Sequence, residues 1–340
     1  MKILFYSPAF LPNVGGLELN VANLAARIAA MGHEVVVVTQ TAGREPDDFL
    51  FQVVRRPSPL ELLRWTRWCD VFHQANVSLR GLWPLPLVRR PWVVSHHSWY
   101  CRTEGHIAWQ DRLKRYLLRF AAASISVSQA IADDLATPSV VIPNSYRDDL
   151  FRLLPGVART EELVFVGRLV SDKGVDVLLD ALALLAEGNL RPRLTVVGDG
   201  PERPRLEEQA ARLGIAGQVG FLGTRTDAEL VEILNRHRVL VAPSRYREPF
   251  GIVALEGIAC GCVAVGSAGG GLRDAIGPCG ETFENGDAAD LARVLGRLLR
   301  HPETHAEYLG NAERHLALHR ADRAAAAYLA EIEKAARLKR

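Results

Sequence analysis

Ile3-Leu4-Phe5-Tyr6, a helix-like run from Leu19 to Met31, and Glu34-Val35-Val36-Val37-Val38 together decide the fold of this chain. Neither apolar run alternates with polar residues, as expected of strands buried on both faces of a parallel sheet, while Leu24 and Ile28 recur on one face of the intervening helix. This is a βαβ opening. Working outward, strand-like runs follow at Val71 to His73, Trp92 to Ser95, Ser124 to Val127 and Val140 to Ile142. After Leu154-Pro155-Gly156 the pattern restarts with Leu163 to Val166, a helix near Val175 to Ala186, Leu194 to Val197 and a helix from about Arg205. It continues through Val219 to Leu222, Val239 to Ala242 and Val263 to Val265, and from Asp290 onward the chain is helical and rich in Ala and Leu. The pattern predicts an α/β protein of two doubly wound, parallel-sheet, Rossmann-like domains facing across a cleft. Residues 1–157 form the first and 158–317 the second, with helices of about 318–340 crossing back. The halves share an architecture and no repeat of fixed period.

With 340 residues, 48% apolar and 24% charged, the chain has ample length for well-buried cores. Its 41 Lys and Arg against 39 Asp and Glu leave a net charge of +2, which excludes bulk electrostatic binding of nucleic acid. Basic residues nevertheless gather between Arg55 and Arg119, twelve against four acids, Arg102 and Glu104 among them. Within that region Trp109, Leu113, Tyr116, Leu117 and Phe120 stand at helical spacing with four cations between them. Such a helix either lies on an anionic membrane or packs its apolar face on its own sheet. The opening residues read as a strand rather than a secretory signal, and no apolar run reaches the roughly 18 to 20 residues that span a bilayer. Five scattered cysteines read as reduced, buried thiols, so the expectation is a cytoplasmic protein, with peripheral contact at the inner face of the cell membrane as the variant.

Several nucleotide chemistries fail on the motifs. Gly198-Asp199-Gly200-Pro201 has no third glycine for a dinucleotide fingerprint, no Gly-Lys-Ser/Thr makes a P-loop, and no Gly-x-Ser-x-Gly makes a nucleophile elbow. No two aspartates stand two apart, so no Asp-x-Asp site offers to hold a diphosphate through a cation. Protein cations must then neutralise any diphosphate. Arg168 and Lys173 follow the strand Leu163 to Val166, at the carboxyl edge where open α/β sheets bind ligands, although surface charges of no function fit the same spacing. In Glu248-Pro249-Phe250-Gly251-Ile252-Val253-Ala254-Leu255-Glu256, Pro249 keeps Glu248 out of the helical region and a helix starts near Gly251. Amides near Ile252 and Val253 then make an anion site, with Glu256 about one turn further on. The alternative is that Glu256 solubilises the helix and Glu248 complements its dipole.

The chain resembles the retaining glycosyltransferases of family four, which have the two-Rossmann-domain (GT-B) fold. The resemblance is carried by Gly15-Gly16-Leu17-Glu18, Val166-Gly167-Arg168 with Lys173-Gly174, Gly198-Asp199-Gly200-Pro201, Gly223, Glu248 and Glu256 with seven residues between them, and Ala259-Cys260-Gly261. The pieces stand in family order over nearly the whole chain. The resemblance implies that Arg168 and Lys173 hold the nucleotide diphosphate, Glu256 the ribose hydroxyls and Glu248 the hydroxyls of the donor sugar. Phe250, Gly251, Ile252 and Val253 would line sugar and phosphate through backbone amides, with Gly167, Gly198, Gly200 and Gly223 as further donor-side positions. Gly16 would let a first-domain loop approach the diphosphate. In Ser95-His96-His97-Ser98 the active-site histidine is expected to be His97, with His96 and His73 structural. Asn144 resembles the family's Pro-Asn-Gly turn with Ser145 in place of glycine, and Asp274 stands where the family usually has Glu.

The implied activity is transfer of a sugar from a UDP- or GDP-type donor to a hydroxyl of a glycan, lipid-linked or small-molecule acceptor, with retention, without metal or a permanently bound cofactor. Cell-surface polysaccharide or glycoconjugate synthesis is the implied setting. A sugar-nucleotide epimerase shares the fold and would give product without an acceptor. A non-catalytic binding module would be expected to lose Arg168, Lys173, Glu248 and Glu256, all of which are present.

Overall fold

The structure, a computed structural model, describes residues 1–13, 15–43, 49–101 and 107–338; Arg102 and Glu104 of the basic region lie outside the described residues. The chain divides into two compact units, Met1–Ser145 with Ala321–Arg340, and Tyr146–Arg320. In the first, β1 (Lys2–Ser7), β2 (Glu34–Thr39), β3 (Gln52–Arg55), β4 (Val71–Ala75), β5 (Trp92–His96), β6 (Ala123–Ser126) and β7 (Val140–Val141) form one parallel sheet in the order β3-β2-β1-β4-β5-β6-β7. The uninterrupted valines of β2 are explained by cover on both faces. Ile3, Phe5, Val35 and Val37 pack with Leu24 and Ile28 of the helix Gly16–Ala30 on one side, and Leu4, Tyr6, Val36 and Val38 pack with Leu62 on the other. The helix Ala321–Arg337 lies against the first of these faces through Ala325, Tyr328 and Ile332, and Asp322 pairs with Arg27.

In the second unit, β8 (Glu161–Val166), β9 (Leu194–Val197), β10 (Val219–Gly223), β11 (His237–Ala242), β12 (Val263–Ser267) and β13 (Gly280–Phe283) form a parallel sheet in the order β10-β9-β8-β11-β12-β13. Helices Val175–Glu187 and Ala288–Arg300 cover one face with Leu178, Leu182, Leu291 and Leu295. In each sheet the order of strands reverses once, between β1 and β4 in the first and between β8 and β11 in the second. Such reversals open a crevice at the carboxyl ends of the strands.

Four expectations need correction. The units part at 145/146 and 320/321, not at 157 and 317, because the segment after Ser145 is bonded into the second unit. Asn235 Nδ2 donates to Arg152 O at 3.0 Å, Leu154 N donates to Asn235 Oδ1 at 2.8 Å, and Arg147 pairs with Asp227 at 2.7 Å. Strands β3 and β13 were not foreseen, being four-residue strands whose few apolar residues give no sustained run. Gly16 is not in a loop: it is the first residue of the helix Gly16–Ala30. Finally, the helix Trp109–Leu117, continued by a 3-10 turn Leu118–Phe120, does not pack an aromatic face on its sheet, for none of residues 109–117 is buried and Leu118 alone of the turn is.

Candidate active site

In the second unit the two strands beside the reversal supply the charged groups. β8 ends in Val166-Gly167-Arg168, and its loop makes a 3-10 turn, Ser171–Lys173, closed by Gly174 at φ +67°. A Cβ on Gly174 would stand 2.0 Å from the carbonyl oxygen of Pro243, so only glycine lets this turn press against the chain leaving β11. That closeness is what brings Lys173 to Glu248. Lys173 Nζ donates to Glu248 Oε1 at 2.6 Å, and Ser244 Oγ donates to the same oxygen at 2.7 Å. Glu248 is extended, as the following proline requires, and its carbonyl accepts from Gly271 N at 2.7 Å, which ties the loops after β11 and β12 together. Arg168 is exposed and makes no ion pair with a described residue.

Beneath these groups lies a frame that the sequence reading missed. Ser244 O accepts from Ser267 Oγ at 2.6 Å and from Asn285 Nδ2 at 3.1 Å, while Asn285 Oδ1 accepts from Gly269 N at 2.6 Å. Arg245 pairs with Asp176 at 2.7 Å. Loops from β8, β11, β12 and β13 are thus bonded to one another, with no motif to announce it.

The helix Ile252–Ala259 begins at Gly251, φ +99°, without a side-chain cap, and its first amides have no intrahelical acceptor. Phe250 turns its ring into the core, 5.6 Å from the ring of His319, so only its backbone is available to a ligand. Glu256, one turn along, is half-buried. Burial raises its carboxyl to about 7, against the opposing pull of the Arg147 guanidinium. Gly198 lies against the β8 loop, where a Cβ would meet Gly167 O at 1.8 Å, and its amide donates to Gly223 O at 2.9 Å. Gly167, Gly198 and Gly200 thus stand at loop-to-loop contacts beyond β8 and β9, and Gly223 ends β10. Asp274 sits in the first turn of a five-residue helix after Gly271.

In the first unit, His96 ends β5 and His97 follows it. His96 is committed on both ring nitrogens, Nδ1 to Tyr100 Oη and Nε2 to Ser124 Oγ, each at 2.7 Å. His97 is fixed by its amide, which donates to Asn76 Oδ1 at 2.7 Å, and by Nε2 against Ser95 Oγ at 2.9 Å; its Nδ1 is buried with no hydrogen-bond partner among the described residues. His73 lies within β4, fully buried between Phe5 and Tyr328, both ring nitrogens without partner among the described residues. Burial lowers all three imidazoles, to about 3 for His73, about 3 for His96 and about 4 for His97, so all are neutral at pH 7. Asn144, after β7, accepts from Asn20 Nδ2 at 3.0 Å through Oδ1.

The class follows from two Rossmann-like units whose polar groups stand at the carboxyl ends of parallel strands, and comparison with known proteins names the family. The model described as Glycosyltransferase Family 4 matches residues 14–149 and that described as Glycosyl transferases group 1 matches residues 155–315. The chain belongs to this family and is a glycosyltransferase of the GT-B fold. It is 28% identical over 363 residues to glycogen synthase of Mycobacterium tuberculosis, covering 89% of this chain and 87% of that one. To D-inositol 3-phosphate glycosyltransferase of Stackebrandtia nassauensis it is 39% identical over 189 residues, 51% of this chain and 42% of that protein. Among solved structures, Anabaena Alr3699/HepE in complex with UDP matches with TM-score 0.83 at 22% identity, over 98% of this chain and 100% of that chain. Sucrose-phosphate synthase from Thermosynechococcus elongatus matches with TM-score 0.80 at 22% identity, over 97% of each. At such identity the structural likeness carries the fold.

Proposed function

We propose that the chain transfers a sugar from a nucleoside diphosphate donor of UDP or GDP type to a hydroxyl acceptor, a glycan, a lipid-linked sugar or a small molecule, with retention and without a metal ion. The observation that carries the reading is the cluster at the β8/β11 reversal, where Lys173 meets Glu248 from the loop that also carries Arg168. Arg168 and Lys173 supply the positive charge that stabilises a departing diphosphate, and the free amides at the start of the helix Ile252–Ala259 add to it. Glu256 takes the ribose hydroxyls. Glu248, already accepting from Lys173 and Ser244 on Oε1, takes a donor-sugar hydroxyl on its other oxygen, and His97 is assigned to the same sugar. The complexes of Alr3699/HepE with UDP and UDP-glucose support a donor of this kind.

In the front-face route, the bond from the anomeric carbon to the diphosphate oxygen breaks as the acceptor oxygen bonds to that carbon on the same side. The acceptor proton passes to the departing phosphate oxygen, so no covalent carboxylate intermediate is needed. The test is a donor screen with the anomeric configuration of the product read by NMR, run with and without excess chelator. Expected are acceptor-dependent release of one nucleoside diphosphate, a retained configuration and little effect of chelation. Product in the absence of any acceptor, or an inverted configuration, overturns the reading.

A further inference from the structure

Past β12 the chain runs Gly269-Gly270-Gly271, three residues without side chains and with the largest conformational freedom a chain can have. What grips that loop therefore decides its shape. Gly271 N donates to Glu248 O at 2.7 Å, and Gly269 N donates to Asn285 Oδ1 at 2.6 Å. The loop also fits closely, for a Cβ on Gly270, at φ +86°, would stand 2.3 Å from Glu248 O. The other end of the Asn285 amide reaches the loop after β11, where Nδ2 donates to Ser244 O at 3.1 Å. Ser244 in turn donates through Oγ to Glu248 Oε1 at 2.7 Å. One side chain thus offers an acceptor to an N–H and a donor to a carbonyl, as a peptide group of a strand laid between the two loops would.

Asn285 is itself held without help from its side chain. Glu284 N donates to Asp290 Oδ2 at 2.9 Å, Asp287 N donates to Glu284 O at 3.0 Å, and Gly286 takes φ +79°. Asp287 caps the helix Ala288–Arg300, whose Leu291 and Leu295 lie in the core. A turn anchored on the core therefore extends one amide to two loops, and that amide is not needed to hold the turn. One of those loops carries Glu248, the carboxylate assigned above to the donor sugar.

We propose that Asn285 is a positioning residue that sets the sugar selectivity of the donor site, by fixing the Glu248 carboxylate and the 269–271 loop relative to each other. The inference rests on the transferase reading and deepens it, since Asn285 acts through Ser244 and Gly269 and not on the donor itself. Oε1 of Glu248 is taken by Lys173 and Ser244, which leaves Oε2 to meet a hydroxyl. The direction of Oε2 then follows from where the Ser244 loop is held. A hydrogen bond tells one epimer from another only when its direction is fixed, because a hydroxyl on the wrong side of the ring then leaves the carboxylate unpaired. A carboxylate free to swing meets either epimer.

The experiment compares the full chain with its Asn285→Ala variant on epimeric donor pairs: UDP-glucose with UDP-galactose, UDP-N-acetylglucosamine with UDP-N-acetylgalactosamine, and GDP-glucose with GDP-mannose. For the pair the parent uses, the ratio of kcat/KM between epimers should narrow about tenfold, and kcat for the better donor should fall about tenfold. Calorimetric affinity for free UDP or GDP should stay within about twofold of the parent's, a split that general loosening of the site would not give. Asn285→Asp keeps the side chain's size and the acceptor for Gly269 N but sets an oxygen against Ser244 O. It should lose selectivity as well, and it carries the test if Asn285→Ala proves unstable. In a Glu248→Gln background Asn285→Ala should change the ratio less than about twofold, because the carboxylate through which it acts is gone. Parental selectivity in both Asn285 variants overturns the proposal, as does equal narrowing with and without Glu248, which would make Asn285 a plain support of the fold. A parent that binds neither UDP nor GDP retires the transferase reading and this role together, whereas transfer with unchanged selectivity retires the role alone.

Discussion

In the first unit three imidazoles, His73, His96 and His97, are held neutral by burial at about 3, 3 and 4. In the second a lysine and a carboxylate meet at 2.6 Å, and a nearby carboxyl is raised to about 7. The same architecture therefore carries neutral donors and acceptors in one unit and charges in the other. The difference shows in the response to pH. The imidazoles bind fewer protons folded than unfolded between pH 6.5 and 3, so the stability they permit is whole above pH 6.5 and is lost as pH falls through that window. Glu256 has the opposite sign. Its folded carboxyl is raised above the ordinary 4.5, so its contribution is whole below pH 4.5 and is lost as pH rises through about 7.

The largest expected effect is on the acid side, where each imidazole adds up to about 1.4 kcal/mol of lost stability per pH unit. Melting curves between pH 7 and 4 should fall steeply, and His73→Leu should make the fall shallower. Its two nitrogens have no hydrogen-bond partner among the described residues, so an apolar replacement costs little at pH 7. An unchanged slope in His73→Leu would show that this imidazole does not stay neutral on acidification, and the contrast between the units would fail at its firmest point.

Next comes the charged pair. Lys173→Ala and Glu248→Ala should each lower kcat by about 10² to 10³, and the double variant should be little worse than either. Additive losses would mean that the two act separately despite their 2.6 Å contact.

The two adjacent histidines sharpen the comparison within the first unit. His97→Ala should lower kcat by about 10² with nucleotide affinity and melting temperature preserved, whereas His96→Ala should lower the melting temperature, because it takes the His96 partner from Ser124 Oγ and leaves Tyr100 Oη with Val77 N alone. The reverse pattern in the two variants would move the site to His96.

What was legible in the sequence follows the same contrast. Valine runs such as Val35 to Val38 announce buried parallel strands because burial on both faces leaves no room for polar alternation. β3 and β13, whose four residues include only two and one apolar side chains in a run, leave no such trace. Lys173 and Glu248 stood out one by one, yet their pairing is set by the contact of Gly174 with Pro243, which no local pattern encodes. Ser244 and Asn285, the residues that bind the loops together, are ordinary polar residues in loops and carried no signal. The helix Trp109–Leu117 was recognisable from its spacing, but spacing alone could not say which way its aromatic residues face.

The smallest effect concerns Glu256 and separates ribose recognition from phosphate recognition. A carboxylate accepts hydrogen bonds from both ribose hydroxyls only when ionised, and with its carboxyl at about 7 this group changes state within the working range. Calorimetric affinity for the nucleoside diphosphate should therefore rise between pH 6 and 8, and Glu256→Ala should weaken it by about 1 to 3 kcal/mol at pH 8. The phosphates of the ligand titrate too, so the comparison that matters is with Glu256→Gln. That variant keeps the size of the side chain and the charge of the ligand but not the titrating group, and its affinity should change less with pH than the parent's. Equal pH dependence in parent and Glu256→Gln would assign the whole effect to the phosphates and remove Glu256 from the ribose.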